Sequence, residues 1–124
     1  MTRLRFRKSQ HLCRPAEFKR VYDQRCVWRD RLLSVFAASN SLGLTRIGLS
    51  VSRKHGNAVC RARWKRIIRE AFRHVQHDLP PGLDLVLIPQ QSCTATVADL
   101  QTSLVTAASQ LSKKLARKKS DRKS

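Results

Sequence analysis

The side chains with the clearest capacity for chemistry lie in residues 56–73, which read GNAVCRARWKRIIREAFR. Glu70 is the only acid in this segment, whereas the basic residues are Arg61, Arg63, Lys65, Arg66, Arg69 and Arg73. Like charges four residues apart on a helix repel by roughly 0.2–0.5 kcal/mol per pair, and an ordinary solvated helix face mixes the two signs. The segment therefore predicts a site for an external polyanion whose phosphates offset the repulsion.

The residues just before the helix extend this predicted phosphate site. Arg53 and Lys54 lie in the loop RKHGN, and Gly56 and Asn57 stand directly before the helix. The first backbone N–H groups of a helix have no partner within it and attract anions. We therefore expect the loop and the helix N-terminus to bind phosphate together with the helix face.

Side chains that could carry out catalysis on their own are sparse. The acids are Glu17, Asp23, Asp30, Glu70, Asp78, Asp84, Asp99 and Asp121, and no two of them lie within four residues of each other. The sequence contains no HExxH, GxSxG or GxxxxGK(S/T) motif. Metal-dependent hydrolysis needs clustered carboxylates, and nucleophilic catalysis needs a paired base. We expect no catalytic residue and no metal site in this chain.

The overall charge supports binding to a nucleic acid. The 124 residues include 26 Lys and Arg but only 8 Asp and Glu, which gives a formal charge of +18. Self-repulsion at this charge destabilises a compact fold, and solubility alone needs far less. The length suits one domain, so the composition predicts a small domain that binds phosphate backbone.

Composition also predicts a cytoplasmic protein without a membrane partner. No run of about 18 apolar residues could span a bilayer, and the N-terminal MTRLRFRKSQ lacks the apolar segment of a secretory signal. Cys13, Cys26, Cys60 and Cys93 form no CxxC pair, which is typical of reduced thiols in the cytosol.

Hydrophobic periodicity predicts the elements that hold these residues. Pro15 begins a helix with an apolar stripe of Phe18, Val21 and Tyr22, and two strands follow in CVWRDRLLSVFAAS. The strand TRIGLSVS alternates, with Ile47, Leu49 and Val51 on one face and Arg46, Gly48, Ser50 and Ser52 on the other. The basic helix has its own apolar stripe, made of Trp64, Ile67, Ile68, Ala71, Phe72 and Val75.

A buried strand and a third helix complete the predicted domain. The strand is LDLVLIP, and Thr96 and Asp99 have the spacing of a capping box before the helix. The order αβββαβα predicts an α+β, two-layer sandwich with helices on one face of a four-stranded sheet and the other face partly open. We expect a single domain over 1–124, with a basic arm at 1–14, a core at about 15–115 and a basic tail at 116–124. The chain from Lys113 onward is expected to be frayed or disordered unless it meets an anion.

The motif around the basic helix resembles the signature of the protein subunit of bacterial ribonuclease P. GLSVSRKHGNAVCRARWKRIIREAFR is similar to the family pattern at Gly48, Val51, Ser52, Arg53, Lys54, Gly56, Ala58, Val59, Arg61, Arg63, Lys65, Arg66, Arg69 and Glu70. RKSQHLCRPAEFKRVY and GLDLVLIP also resemble family segments, so the similarity covers roughly residues 5–115. Ala62 departs from the pattern, because the family has Asn there. On the helix it should still face the RNA.

The resemblance implies a tRNA-processing endonuclease, a hydrolase, in which the RNA subunit performs the cleavage. The protein would bind the catalytic RNA and the single-stranded 5′ leader of precursor tRNA, with Mg²⁺ held mainly by RNA and substrate and no protein partner required. The implied residues for the catalytic RNA are Arg53, Lys54, Asn57, Arg61, Arg63, Lys65, Arg66, Arg69 and Arg73. Those implied for the leader are Phe18, Tyr22, Phe36, Arg46 and Ser50. The family fold, like the second domain of ribosomal protein S5, also implies a left-handed βαβ crossover around the basic helix.

Two other functions fit a small basic chain. One is a general RNA-binding or ribosomal protein. The other is a DNA-binding protein whose basic helix enters the major groove. Readers of the major groove usually dimerise or carry Asn and Gln among the basic residues, and this helix offers only Gln76.

Overall fold

The computed structural model describes residues 10–12, 14–52, 54, 56–90 and 95–122, with side chains up to residue 117. The elements follow the predicted order. They are α1 (Pro15–Asp23), β1 (Cys26–Arg29), β2 (Leu33–Ser39), β3 (Arg46–Leu49), α2 (Ala58–Val75), β4 (Leu83–Pro89) and α3 (Val97–Arg122). A short 3₁₀ turn, Gln76–Asp78, follows α2 just before the two prolines that stop it.

The four strands form one mixed sheet in the order β1-β2-β4-β3. β1 with β2 and β2 with β4 are antiparallel, whereas β3 and β4 are parallel. The parallel pair is joined through α2, which is the crossover whose left hand the resemblance implies. Residues 10–12 continue the sheet beyond β3, because His11 bridges to Ile47 and the Leu12 N–H donates to the Ile47 carbonyl at 2.8 Å. The α+β class is thereby confirmed.

The main core lies between one face of the sheet and the helices α2 and α3. The α2 residues buried in it are those of the predicted apolar stripe, Trp64, Ile67, Ile68, Ala71, Phe72 and Val75. They pack with strand residues such as Val35, Leu85 and Leu87. Asn57 caps this helix, since its Oδ1 accepts the Cys60 N–H at 2.9 Å. Burial of a whole stripe holds the opposite, basic face of α2 rigid.

α1 lies on the other face of the sheet, so the prediction that all helices share one face is wrong. A second apolar cluster forms there from Leu12, Val21, Ala38 and Val86, with Phe18, Tyr22, Phe36 and Ile88 packed against it. β2 and β4 have apolar side chains on both faces, and this gives the stripe of α1 a surface to cover. The sheet therefore separates α1 from α2 and α3.

Both ends of α3 bear on predictions made from the sequence. Its predicted capping box is confirmed, with the Thr96 N–H donating to Asp99 at 3.1 Å and the Asp99 N–H donating to Thr96 Oγ1 at 3.2 Å. The prediction that the chain frays from Lys113 is wrong, because the helical backbone continues to Arg122. Leu115 is buried, and Lys114 Nζ donates to the Val27 carbonyl at 3.1 Å, which anchors this part of the helix. Of the helices that the structure describes, none has an apolar stretch that could span a lipid bilayer.

Candidate nucleic-acid interface

The outer face of α2 forms an open basic groove of about 600 Å³. Its lining residues are His11, Ala62, Lys65, Arg66, Arg69, Glu70 and Arg73. Four basic side chains are thus grouped on one face of the helix, and Ala62 faces the same groove as expected. Among the described residues, Lys65, Arg66 and Arg69 form no ion pair. The groove therefore presents three uncompensated cations on a rigid helix.

Glu70 compensates one cation at the end of the basic groove. Its Oε1 lies 2.5 Å from Arg73 Nη2 and 3.0 Å from His74 Nε2. The hydrogen bond from Arg73 is the main cause that lowers the pKa of Glu70, and His74 adds to it. Glu70 therefore stays ionised and fixes Arg73, so the strongest attraction for an anion lies at Lys65, Arg66 and Arg69.

His11 is a member of the groove that the sequence did not reveal. It enters because residues 10–12 run along the edge of β3, where no periodic pattern marks a strand. Burial lowers the pKa of His11, and the charge of Arg69 lowers it further. The imidazole is therefore mainly neutral at neutral pH and contributes a hydrogen-bonding group to the basic groove.

The other described residues that are expected to bind the catalytic RNA lie outside the groove lining. Arg61 and Arg63 are half-buried at the sides of the apolar stripe. Arg61 Nε is buried and has no hydrogen-bond acceptor among the described residues. Asn57 serves as the cap of α2, Lys54 is exposed, and Arg53 falls outside the described residues.

Three aromatic side chains come together on the opposite face of the sheet, as the resemblance implied. Tyr22 and Phe36 meet edge to face, with ring centroids 5.0 Å apart and an angle of 82° between the ring planes. Phe18 packs on the same apolar cluster one turn before Tyr22. All three are only partly buried. We call Phe18, Tyr22 and Phe36 the aromatic cleft, since each ring combines a packed side with an accessible one.

Gly48 lets α1 approach the sheet at the base of the aromatic cleft. A Cβ at Gly48 would lie 2.7 Å from Phe18 Cζ and 2.8 Å from Leu12 Cβ. Only glycine accommodates both contacts. The space left by the missing side chain of Gly48 is occupied by Phe18 and Leu12.

Arg46 is held in an ion-pair network beneath α1. Its Nε and Nη2 donate to the two carboxylate oxygens of Asp84 at 2.8 and 2.7 Å, and its Nη1 lies 2.8 Å from Glu17 Oε2. Arg20 Nη2 also pairs with Asp84, and Asn40 Nδ2 donates to it at 2.7 Å. We call Glu17, Arg20, Asn40, Arg46 and Asp84 the Asp84 cluster. Asp84 is the single acid in the otherwise apolar LDLVLIP, which was the available signal, but the sequence alone did not reveal the cluster around it.

Ser50 is the remaining residue implied for the leader. It is half-buried just beyond β3, and its N–H donates to the Leu87 carbonyl at 3.0 Å. This contact continues the pairing with β4 past the end of the strand. Within the described residues, no three His, Cys, Asp or Glu side chains come together in a group that could hold a metal ion.

The basic groove and the aromatic cleft meet at the edge of β3. His11 lines the groove, and its neighbour Leu12 is buried in the cluster beneath the cleft. The segment 10–12, which bridges to β3 at Ile47, thus joins a surface of uncompensated charge to a surface of partly exposed rings. Proteins bind single-stranded nucleic acids through positive charge along the phosphate backbone and through aromatic rings on which the bases stack.

Comparisons with known proteins agree on one family. The family model described as Ribonuclease P matches residues 6–112. The ribonuclease P protein component of Clostridioides difficile is 32% identical over 101 residues, which cover 80% of this chain and 89% of that protein. That of Clostridium acetobutylicum is 35% identical over 100 residues, covering 78% and 84%. The solved structure of the Staphylococcus aureus RNase P protein superposes with a TM-score of 0.70 at 31% identity, covering 81% of this chain and 93% of that one.

Proposed function

This chain belongs to the ribonuclease P protein family, and on that premise we propose that it binds the catalytic RNA of ribonuclease P and the 5′ leader of precursor tRNA. In this role it assists an endonucleolytic cleavage that the RNA subunit catalyses, and the product is the mature 5′ end of tRNA. The protein contributes binding and positioning, which favour the reaction without a catalytic side chain.

The observation that carries the proposal is the meeting of two different surfaces at the edge of β3. The basic groove offers Lys65, Arg66 and Arg69 without acidic partners, which suits the folded phosphate backbone of a large RNA. The aromatic cleft offers accessible rings, which suit unpaired bases. A general RNA-binding protein needs only the first surface, and both together favour an RNA with a single-stranded extension.

The proposed division of labour assigns the groove to the catalytic RNA and the cleft to the leader. Bases of the leader stack on the aromatic cleft, each contributing roughly 1–3 kcal/mol. Mg²⁺ would neutralise phosphate charge at the scissile bond when bound by RNA and substrate oxygens.

The test is cleavage of a precursor tRNA by a bacterial ribonuclease P RNA at low Mg²⁺, with and without this protein. We expect strong stimulation by the protein and no cleavage by the protein alone. Binding to the RNA without stimulation would instead support a general RNA-binding protein. Competition by duplex DNA at equal concentration would point to a DNA-binding protein.

A further inference from the structure

Asp84 is a carboxylate with no exposed surface in the apolar strand β4. Three separate parts of the chain supply its donors: Arg20 from α1, Arg46 from β3 and Asn40 from the loop after β2. A buried charge without such partners would cost several kcal/mol. Asp84 therefore links α1, β3 and the loop after β2 to the central strand β4.

α1 is held to the sheet by two polar side chains one turn apart, and one of them, Arg20, also donates to the Ser39 carbonyl at 3.0 Å. Arg20 reaches Asp84 directly, and Glu17 pairs with Arg46, which in turn binds Asp84. Phe18 lies between these two residues in the chain and Tyr22 follows them. α1 has only 9 residues, and a helix of that length is not stable alone in water. The place of its two aromatic rings therefore depends on these contacts and on the apolar cluster beneath them.

We propose that Asp84 is a positioning residue for leader binding, and that Arg46 acts through it by fixing α1 rather than by contacting leader phosphate. The inference rests on the proposed function of the aromatic cleft. In this proposal Asp84 and Arg46 hold α1 in place, and neither residue contacts RNA directly.

The charges of the Asp84 cluster support this role for Arg46. Two cations, Arg20 and Arg46, face two anions, Asp84 and Glu17, so the cluster is formally neutral. The Arg46 side chain is only 17% exposed, and each of its three nitrogens lies within 2.8 Å of a carboxylate oxygen. Three of its five N–H donors are therefore held by carboxylates and its charge is balanced, in contrast to Lys65 or Arg66 in the basic groove.

The first experiment compares wild-type protein with Asp84→Asn in the assembled ribonucleoprotein. The measured quantity is leader preference, which is the ratio of the Kd for mature tRNA to the Kd for precursor tRNA. We expect Asp84→Asn to lower this ratio by about fivefold or more, since a displaced ring loses its stacking. The salt dependence of precursor binding should stay unchanged. If Arg46 were a phosphate ligand, removal of Asp84 would free its charge, tighten precursor binding and steepen the salt dependence, and that result overturns the proposal.

Asp84→Asn could fail to fold, so a matched pair of variants on α1 provides a second test of the proposal. Glu17→Gln removes the charge that pairs with Arg46, while its amide oxygen can still accept the Arg14 N–H, as Glu17 Oε1 does at 3.3 Å at the start of α1. Asp23→Asn makes the same change in charge on the same helix, at an exposed residue paired only with Lys19 in the described structure. We expect Glu17→Gln to lower leader preference and Asp23→Asn to leave it unchanged. Equal ratios in the two variants contradict the proposal.

Affinity for the catalytic RNA without tRNA separates this inference from the proposed function. Neither α1 variant touches the basic groove, so this affinity should match wild type. If wild-type protein binds the catalytic RNA but has no leader preference, the proposed role of the cleft fails and the inference falls with it. If wild type has the preference and both Asp84→Asn and Glu17→Gln keep it, only the inference fails.

Discussion

The ring of Phe18 lies directly against the backbone of Gly48, close enough that a methyl group on Gly48 would come within 2.7 Å of Phe18 Cζ. The same methyl group would lie 2.8 Å from Leu12 Cβ. A ring can rotate away, but a Cβ is fixed to the backbone. The close approach of α1 to the sheet therefore depends on the absence of a side chain at Gly48.

We expect Gly48→Ala to push α1 and Leu12 away from the sheet. Overpacking of this kind costs about 1–3 kcal/mol of the free energy of unfolding. Urea denaturation measures that loss, and the leader preference of the assembled enzyme should fall as Phe18 moves. Gly43→Ala is the control, because Gly43 has a φ of 73° and no atom near its missing Cβ. Its cost of about 1–2 kcal/mol is backbone strain, which should leave leader preference intact.

Removal of two charges from the basic groove should weaken assembly with the catalytic RNA. For Arg66→Ala with Arg69→Ala, the slope of log affinity against log salt should shrink by up to about 2, if each side chain meets one phosphate. The measurement is a binding titration at several salt concentrations.

Lys113→Ala with Arg117→Ala provides the control for that measurement. These residues are exposed on α3, so the variant removes the same two charges elsewhere. An effect on the slope as large as that of the groove variant would show that overall charge matters more than the groove.

Replacement of an aromatic ring by an aliphatic side chain should separate stacking from packing. Phe18→Leu keeps an apolar contact with the second cluster but removes the face on which a base stacks. We expect binding of leader-bearing precursor tRNA to weaken by about 1 kcal/mol or more, which is roughly fivefold, while mature tRNA is unaffected. Equal losses for the two substrates would identify Phe18 as a core residue only.

The sequence was sufficient to predict the parts that depend on local periodicity. The buried stripe of α2, from Trp64 to Val75, and the basic face opposite it both follow from a helical period. The capping box of α3 follows from the spacing of Thr96 and Asp99. Each of these features involves residues of one element only.

The parts that the sequence did not reveal depend on contacts between distant elements. The side of the sheet on which α1 packs is decided by Ala38 and Val86, which are apolar on a face that alternation alone does not identify. The Asp84 cluster joins residues 38 and 64 positions apart, so no local pattern shows that Arg46 and Arg20 are already paired. His11 reaches the groove through a single bridge to Ile47.

Asn57 should contribute to the stability of α2 through its cap. Asn57→Ala leaves the Cys60 N–H without its acceptor and should cost about 1 kcal/mol of the free energy of unfolding, whereas Asn57→Ser keeps a capping oxygen and most of the stability. Thermal or urea unfolding of the two variants measures this. If both bind the catalytic RNA as wild type does, Asn57 acts only as a cap. A loss of affinity in the stable Asn57→Ser variant would instead assign it a direct contact with RNA.

The Asp84 cluster should make stability depend on pH in the acid range. Burial raises the pKa of Asp84, but hydrogen bonds from Arg46 and Asn40 and the charges of Arg46 and Arg20 outweigh this, so the pKa lies below its usual value. A carboxylate with a lowered pKa in the folded state stabilises the protein fully above its unfolded pKa of about 3.9. That contribution is lost as the pH falls through the lower, folded value.

Wild-type protein and Asp84→Asn should therefore differ most at neutral pH. Breaking a buried ion pair costs about 3–5 kcal/mol, so we expect a difference of that order in the free energy of unfolding between pH 5 and 7. Below about pH 4 the difference should shrink, because Asp84 binds a proton in the unfolded chain before it does so in the folded protein, and this favours unfolding of the wild type. Urea denaturation from pH 3 to 7 measures both curves. A constant difference across this range would mean that the charge of Asp84 contributes nothing and that only its shape and hydrogen bonds matter.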